Sequence, residues 1–260
     1  MVTCRDIMDI MEQIAPASLA EEWDNPGLLV GSPDKEVQRI LVVLDVNEAS
    51  VSYALTKKCD MIISHHPLIF GSIKAIRTDN AMGWKLKNLL DSNIAVFAAH
   101  TNLDSAQGGV NDVLAKKIGL IRLRALGEGA IGRIGELDQP LEQDEFAAMV
   151  KKRLGLEFVR VVRRHVNAEG LIRRVALCSG SGAEYIPVAA AACADAYVTG
   201  DVKYHDAQRA AELGLFVVDA GHFGTEFPIV NALAERLSTE LGGLAEVCQD
   251  TWSEDFFELS

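Results

Sequence analysis

No two cysteines in this chain stand close enough to make a CxxC site, and the five present (Cys4, Cys59, Cys178, Cys193 and Cys248) are odd in number. That excludes a regular disulfide framework and a paired-thiolate metal site. It leaves reduced, mostly buried thiols of the kind found in cytosolic proteins. Basic runs are missing too. Lys and Arg number 25 against 37 Asp and Glu, for a net charge of −12 and a pI near 5.0. Nucleic-acid binders usually show a basic patch, so duplex or strand binding is disfavoured as the main task, while a small nucleotide stays open. No apolar run approaches transmembrane length, and the N-terminus shows no signal-peptide core. The expectation is a cytoplasmic protein with no membrane partner. What is there is a globular mixture, 49% apolar and 24% charged over 260 residues, enough for one large domain or two ordinary ones.

The chain is organised around Asp60 to Phe70, DMIISHHPLIF. Met61, Ile62 and Ile63 form a short apolar run suited to a buried strand. Ser64 breaks the run, His65 and His66 follow, and Pro67 stops the strand because it has no N–H for a ladder. Two imidazoles therefore stand where a buried strand ends, and neutral imidazole is a common ligand for divalent metals. Adjacent strand residues point to opposite faces, so two metals taking one ring each is an easier geometry than one ion taking both. A turn with two surface histidines is the plainer reading.

Thr3 and Asp6 suit a capping-box variant. Ile7, Met8, Ile10, Met11 and Ile14 recur at helical spacing and predict a helix over 4–14, ended by Pro16. In EEWDNPGLLVG (21–31), Asp24-Asn25-Pro26-Gly27 is strong turn chemistry and by itself reads as structural. Strands are predicted over 39–46, 60–64 and 94–99, and helices over 47–58, 83–92 and 110–118. Residues 120–174 are less regular, with Gly127, Gly129, Gly132 and Gly135 among short apolar pieces. They read as a crossing between domains that contains a helix over 143–154 and a strand over 157–162. Strands over 175–178, 196–199 and 215–219 then alternate with helices over 183–192, 206–213 and 228–241. Strand alternating with helix is the pattern of a parallel sheet and an α/β fold. The second series repeats the first. SHHP and TGDVKYH occupy equivalent strand ends, as do AAHTNLD and DAGHFGTE, which points to an internal duplication. Two similar α/β domains are expected, 1–125 and 126–260.

Five of the six histidines follow the ends of apolar strands: His65, His66, His100, His205 and His222. Only His165 lies outside this pattern. Ligands of open α/β sheets bind beyond the carboxyl ends of strands, so histidines and carboxylates gathered at four strand ends are a convergent signal. His222 and Glu226 are four apart, as are His100 and Asp104, so a helical turn would aim each pair one way. Imidazole nitrogen with hard carboxylate oxygen suits zinc, manganese, iron, cobalt or nickel.

EEWDNPGLLVG, SHHPLIF, AHTNLD, GGVND, VTGDVKYHDA and DAGHFGTE, in this order over residues 21–226, resemble the dinuclear-metal-centre hexameric family. That family is also called NIF-three-like, or GTP cyclohydrolase I type 2 homologues. The resemblance implies two divalent metal ions on His65, His66, Asp104, His222 and Glu226, with Glu226 bridging. It also implies a toroidal homohexamer whose sites face an inner cavity. Phe223 departs from the family, which often has Tyr after Gly-His, and the chain matches the short form without an inserted domain. His100, Asp201 and His205 match family motifs outside the five-ligand set. They are candidates to orient ligands or move protons, or else to order loops by hydrogen bonds. Lys74 and Lys203 are the basic residues nearest the motifs, placed to meet a phosphate or to lie solvated. Three classes of function follow. The first is a metal-dependent hydrolase, by resemblance opening the guanine ring of GTP with loss of formate. The second is a metal-dependent phosphoesterase, and the third is a non-enzymatic metal-binding or scaffold protein.

Overall fold

The computed structural model describes residues 1–127, 131–163 and 170–258, so Gly129 and His165 lie outside the described residues. The chain divides into two compact units, Met1–Gln107 with Ile229–Ser253, and Gly108–Pro228 with Glu254–Ser260.

The first unit opens with the expected capped helix. Thr3 Oγ1 accepts the Asp6 amide at 3.3 Å, and the Asp6 carboxylate accepts the Thr3 amide at 2.8 Å. Helix Cys4–Ile14 then buries Cys4, Ile7, Met11 and Ile14 on one face. The sheet runs in the order Glu246–Gln249, Arg39–Val43, Met61–Ser64, Ala95–Ala98, Gly27–Val30. The first four strands are parallel and the last is antiparallel. Met61–Ser64 and Ala95–Ala98 are buried throughout, as parallel strands covered on both faces must be. Helices Glu48–Lys57 and Ala81–Asp91 make the crossovers. Their residues Val51, Leu86 and Leu89 pack with Leu41, Val43, Ile62 and Val96 of the sheet.

In the second unit the order is Ile121–Ala125, Arg133–Leu141, Ile172–Leu177, Ala196–Thr199, Phe216–Asp219, Arg160–Val162. The three strands from Ile172 to Asp219 are parallel, and the strands that flank them pair antiparallel. Strand alternation sorts the core into two layers. Val175, Leu177, Val198 and Phe216 meet Leu114, Phe146 and Val150, while Ala176, Tyr197 and Val217 meet Ile186, Ala189 and Ala210.

The duplication shows in connectivity. Each unit holds three consecutive parallel strands joined by helices, an antiparallel strand beside the third, and a single helical turn after it, Thr101–Ser105 or His222–Glu226. Both sheets are mixed rather than wholly parallel. Residues 120–174 are not a crossing, because they supply Ile121–Ala125, Arg133–Leu141 and Arg160–Val162 to the second sheet. Ile121–Ala125 is exposed along its length, so it carries no apolar run to read. Nor do the units part at a single cut after 125. Ile121–Ala125 pairs with Arg133–Leu141, and Glu246–Gln249 returns to Arg39–Val43. No helix among the described residues is long and apolar enough to cross a membrane.

Candidate metal centre

In the first unit, His65 and His66 directly follow the buried strand Met61–Ser64, and their amides still bond to Val43 O at 3.2 Å and Leu44 O at 3.0 Å. Past the strand end the chain turns, with Ser64 Oγ donating to His66 O at 2.8 Å. The two rings come to 4.9 Å between centroids rather than pointing apart as strand neighbours. His100, at the end of Ala95–Ala98, stands 5.2 Å from the His65 ring and 5.7 Å from the His66 ring. Each of the three offers a ligand nitrogen within 4.8 Å of the others, a group that could hold a metal ion.

Every one of these rings is held through Nδ1 by an oxygen. His65 Nδ1 lies 3.0 Å from Ala99 O, His66 Nδ1 2.9 Å from Asp45 Oδ1, and His100 Nδ1 2.8 Å from Asp24 Oδ1. A carbonyl or carboxylate oxygen can only accept, so the proton sits on Nδ1 and the lone pair on Nε2. Asp104 enters from the turn Thr101–Ser105, where its amide bonds His100 O at 3.0 Å. Its Oδ1 lies 3.8 Å from His65 Nε2. The side chain of Asp24 is fully covered. Burial alone would raise its pKa, but hydrogen bonds from His100 and Thr101 outweigh that and hold it well below the usual carboxylate range.

In the second unit, His222 opens the turn His222–Glu226, and its Nε2 lies 3.0 Å from Glu226 Oε2. Its Nδ1 meets Asp201 Oδ2 at 2.7 Å, so the fourth histidine repeats the arrangement of the other three. Asp201 sits in the left-handed region with φ 54°, just past strand Ala196–Thr199. Buried Asp219 accepts the amides of Val202 at 3.1 Å and Gly221 at 3.0 Å, and bonds Arg160 as well. One carboxylate thus ties the Asp201 loop to the His222 turn. Gly180 closes on the same place. A Cβ there would stand 2.0 Å from Glu226 Oε1, and its φ is +60°, so only glycine lets the Ser179–Gly182 loop approach the carboxylate.

The Duf34/NIF3 (NGG1p interacting factor 3) family model matches residues 2–251. The chain belongs to this family. It is 33% identical over 260 residues to a "GTP cyclohydrolase 1 type 2 homolog" of Clostridium perfringens, covering 98% of each chain. A Bacillus cereus protein related to NIF3 superposes with TM-score 0.92 at 26% identity, over 100% of this chain and 99% of that one. A Staphylococcus aureus hypothetical protein gives TM-score 0.92 at 29% identity, over 99% of each.

The donors of this Duf34/NIF3 chain suit a hard or borderline divalent ion: imidazole nitrogens in a fixed tautomer, carboxylate oxygens and no thiol. Among the described residues the structure gathers His65, His66, His100 and Asp104 in one unit, and His222, Glu226 and Asp201 in the other. His205 joins no cluster of ligand atoms among the described residues. It is exposed on helix Tyr204–Glu212, 3.4 Å from Gln208 Oε1. Lys74 and Lys203 are exposed. Sequence reasoning missed Asp45 and set Asp24 aside as a turn residue. The signal for both was an aspartate standing, like the histidines, at a strand end or in a tight turn.

Proposed function

We propose that this protein is a metal-dependent hydrolase acting on a nucleotide. Two divalent ions per chain would be held by His65, His66, Asp104, His222 and Glu226, with Glu226 shared. One observation carries the reading: the four histidines of the two clusters each have Nδ1 held within 3.0 Å by a carboxylate or a main-chain carbonyl oxygen. That arrangement fixes a metal-ligating ring, sets its tautomer and raises the basicity of Nε2. His205, outside the clusters, makes a longer Nδ1 contact, 3.4 Å to the amide oxygen of Gln208.

Bound at these residues, two divalent cations supply Lewis acidity and a nucleophilic water near neutral pH. Three neutral histidines and two carboxylates leave a net formal charge of about +2 with such a pair, which favours an anionic substrate. Asp45, the Ala99 carbonyl and Asp201 orient His66, His65 and His222. His100, held by Asp24 beside the His65 and His66 rings, is the candidate to move a proton. The "GTP cyclohydrolase 1 type 2 homolog" name of the Clostridium perfringens relative supports a nucleotide substrate, and ring opening with formate release is the version proposed here. A cytoplasmic toroidal homohexamer is proposed as the working assembly.

The test is to load the protein in turn with zinc, manganese, iron, cobalt or nickel, supply GTP and assay formate. Formate release at a rate proportional to bound metal supports the reading. Phosphate without formate replaces it with a phosphoesterase. No turnover on a nucleotide and phosphoester panel with any of these metals replaces it with a metal-binding scaffold.

A further inference from the structure

Two large aromatic side chains stand in solvent beside the histidine cluster of the first unit. Trp23 is 59% exposed and Phe70 55%. Their ring centroids are 5.8 Å apart with planes at 52°. Each ring also lies edge-on to His100, at 6.1 Å and 73° for Trp23 and at 6.2 Å and 78° for Phe70. The three rings therefore form one open cluster.

The loops that carry these rings are strapped in place. Asn25 Nδ2 donates to Ile69 O at 2.6 Å, which ties the Trp23 turn to the Phe70 loop. Asp24 accepts from His100 and from the Thr101 amide at 2.9 Å, and the Glu21 amide donates to Thr101 Oγ1 at 3.0 Å. Hydrogen bonds on both sides of Trp23 thus fix its backbone, yet its indole is left uncovered. Rigidly presented, exposed aromatics at a polar site are the usual means of holding a flat ring, because stacking needs only a π-face and tolerates different heterocycles.

We infer that Trp23 and Phe70 form a stacking subsite for a planar heteroaromatic ring of the substrate, placing that ring against His100. This rests on the proposed metal centre, and it names the class of substrate that the centre would take. The 52° tilt and 5.8 Å separation leave no slot between the two rings. The substrate ring stacks on an outer face of one and meets the edge of the other, as a base does on a single-strand binding platform. His100 then lies at the ring's edge, where a proton donor or acceptor reaches ring nitrogens.

The experiment compares two probes that share a phosphate and a ribose. Guanosine 5′-monophosphate carries a heteroaromatic ring and ribose 5-phosphate does not. Each is titrated calorimetrically into the full chain, zinc-loaded and metal-free. The wild type should bind the nucleotide about tenfold or more tightly than the sugar phosphate, in keeping with base–aromatic stacking. Trp23→Leu and Phe70→Leu should each remove most of that preference without changing ribose 5-phosphate binding, and Trp23→Phe should retain it. Equal affinity for the two probes, no measurable nucleotide binding, or an unchanged preference in both leucine variants overturns the inference. So does a leucine variant that only lowers the assembly mass, since the rings would then be subunit contacts. Metal content is measured on the same samples. Two ions without ring preference refute the subsite alone, whereas ring preference without two ions refutes the dinuclear centre alone.

Discussion

Asp24 Oδ1 lies 2.8 Å from His100 Nδ1, although the two residues are 76 positions apart in the chain. The same carboxylate accepts the Thr101 amide at 2.9 Å and the Thr101 hydroxyl at 2.5 Å. A covered carboxylate with three such donors stays ionised and locks the strand end it faces. Asp24→Ala removes all these acceptors and should cost about 2–3 kcal/mol at pH 7. The folded-state pKa lies below the ordinary value, so this stabilisation is complete above about pH 5. It fades as pH falls through the folded-state value. Urea unfolding of the wild type and variant should show a constant gap between about pH 5 and 8 that closes in stronger acid.

Asp201 holds His222 through Nδ1 and does so from a left-handed backbone position. Asparagine tolerates that conformation better than other replacements, so Asp201→Asn removes the charge without adding strain. Metal affinity should fall about 10–100-fold while the thermal midpoint of the metal-free protein stays close to that of the wild type. Competition against a fluorescent chelator measures the first and differential scanning calorimetry the second.

Gly180→Ala puts a methyl group 2.0 Å from Glu226 Oε1 at a φ of +60°. The backbone strain alone should cost about 1–2 kcal/mol, and the displaced carboxylate should lower metal content. Unfolding and elemental analysis of one preparation check both. A variant with full metal content would show that the Glu226 carboxylate adjusts to the added methyl without loss of the ions.

Removal of a shared ligand should differ from removal of an unshared one. Glu226→Gln is expected to weaken both ions together, and His65→Ala mainly one. Metal titration followed by elemental analysis separates the cases once circular dichroism shows that each variant is folded. Equal single-ion loss in both would contradict a bridging Glu226, and wild-type saturation at one ion would end the dinuclear reading.

Assembly is read directly by light scattering coupled to size exclusion. A hexamer has six times the chain mass of 28.2 kDa. At −12 per chain, subunits repel at long range, so a stable hexamer needs a substantial apolar interface. A dominant monomer at micromolar concentration, with and without divalent metal, would refute it.

Much of the fold was legible because apolar runs and turn chemistry coincide with element ends. Strand Ala196–Thr199 and helices Val110–Ile118, Gln143–Leu154 and Pro228–Leu241 have the bounds that the sequence suggested. Of the edge strands, Arg160–Val162 falls within the predicted 157–162, but two others were not legible. Glu246–Gln249 and Ile121–Ala125 owe their place to backbone pairing with one neighbour, and their exposed or mixed side chains leave no periodic signature. The histidines showed themselves by standing after apolar strands. Their carboxylate holders were hidden because each bond joins residues distant in sequence. Asp45 was absorbed into the run 39–46, whereas the strand itself ends at Val43, which frees Asp45 to face His66.

The return of Glu246–Gln249 to pair with Arg39–Val43 sets the order in which the chain can finish folding on the ribosome. Residues 108–228, the bulk of the second unit, are synthesised before the outermost strand of the first sheet exists. Until residue 249 has emerged, Arg39–Val43 presents a bare row of amides and carbonyls along one edge, the kind of edge that recruits strands from other chains. The first half of the polypeptide thus waits on the second for the last strand of its sheet.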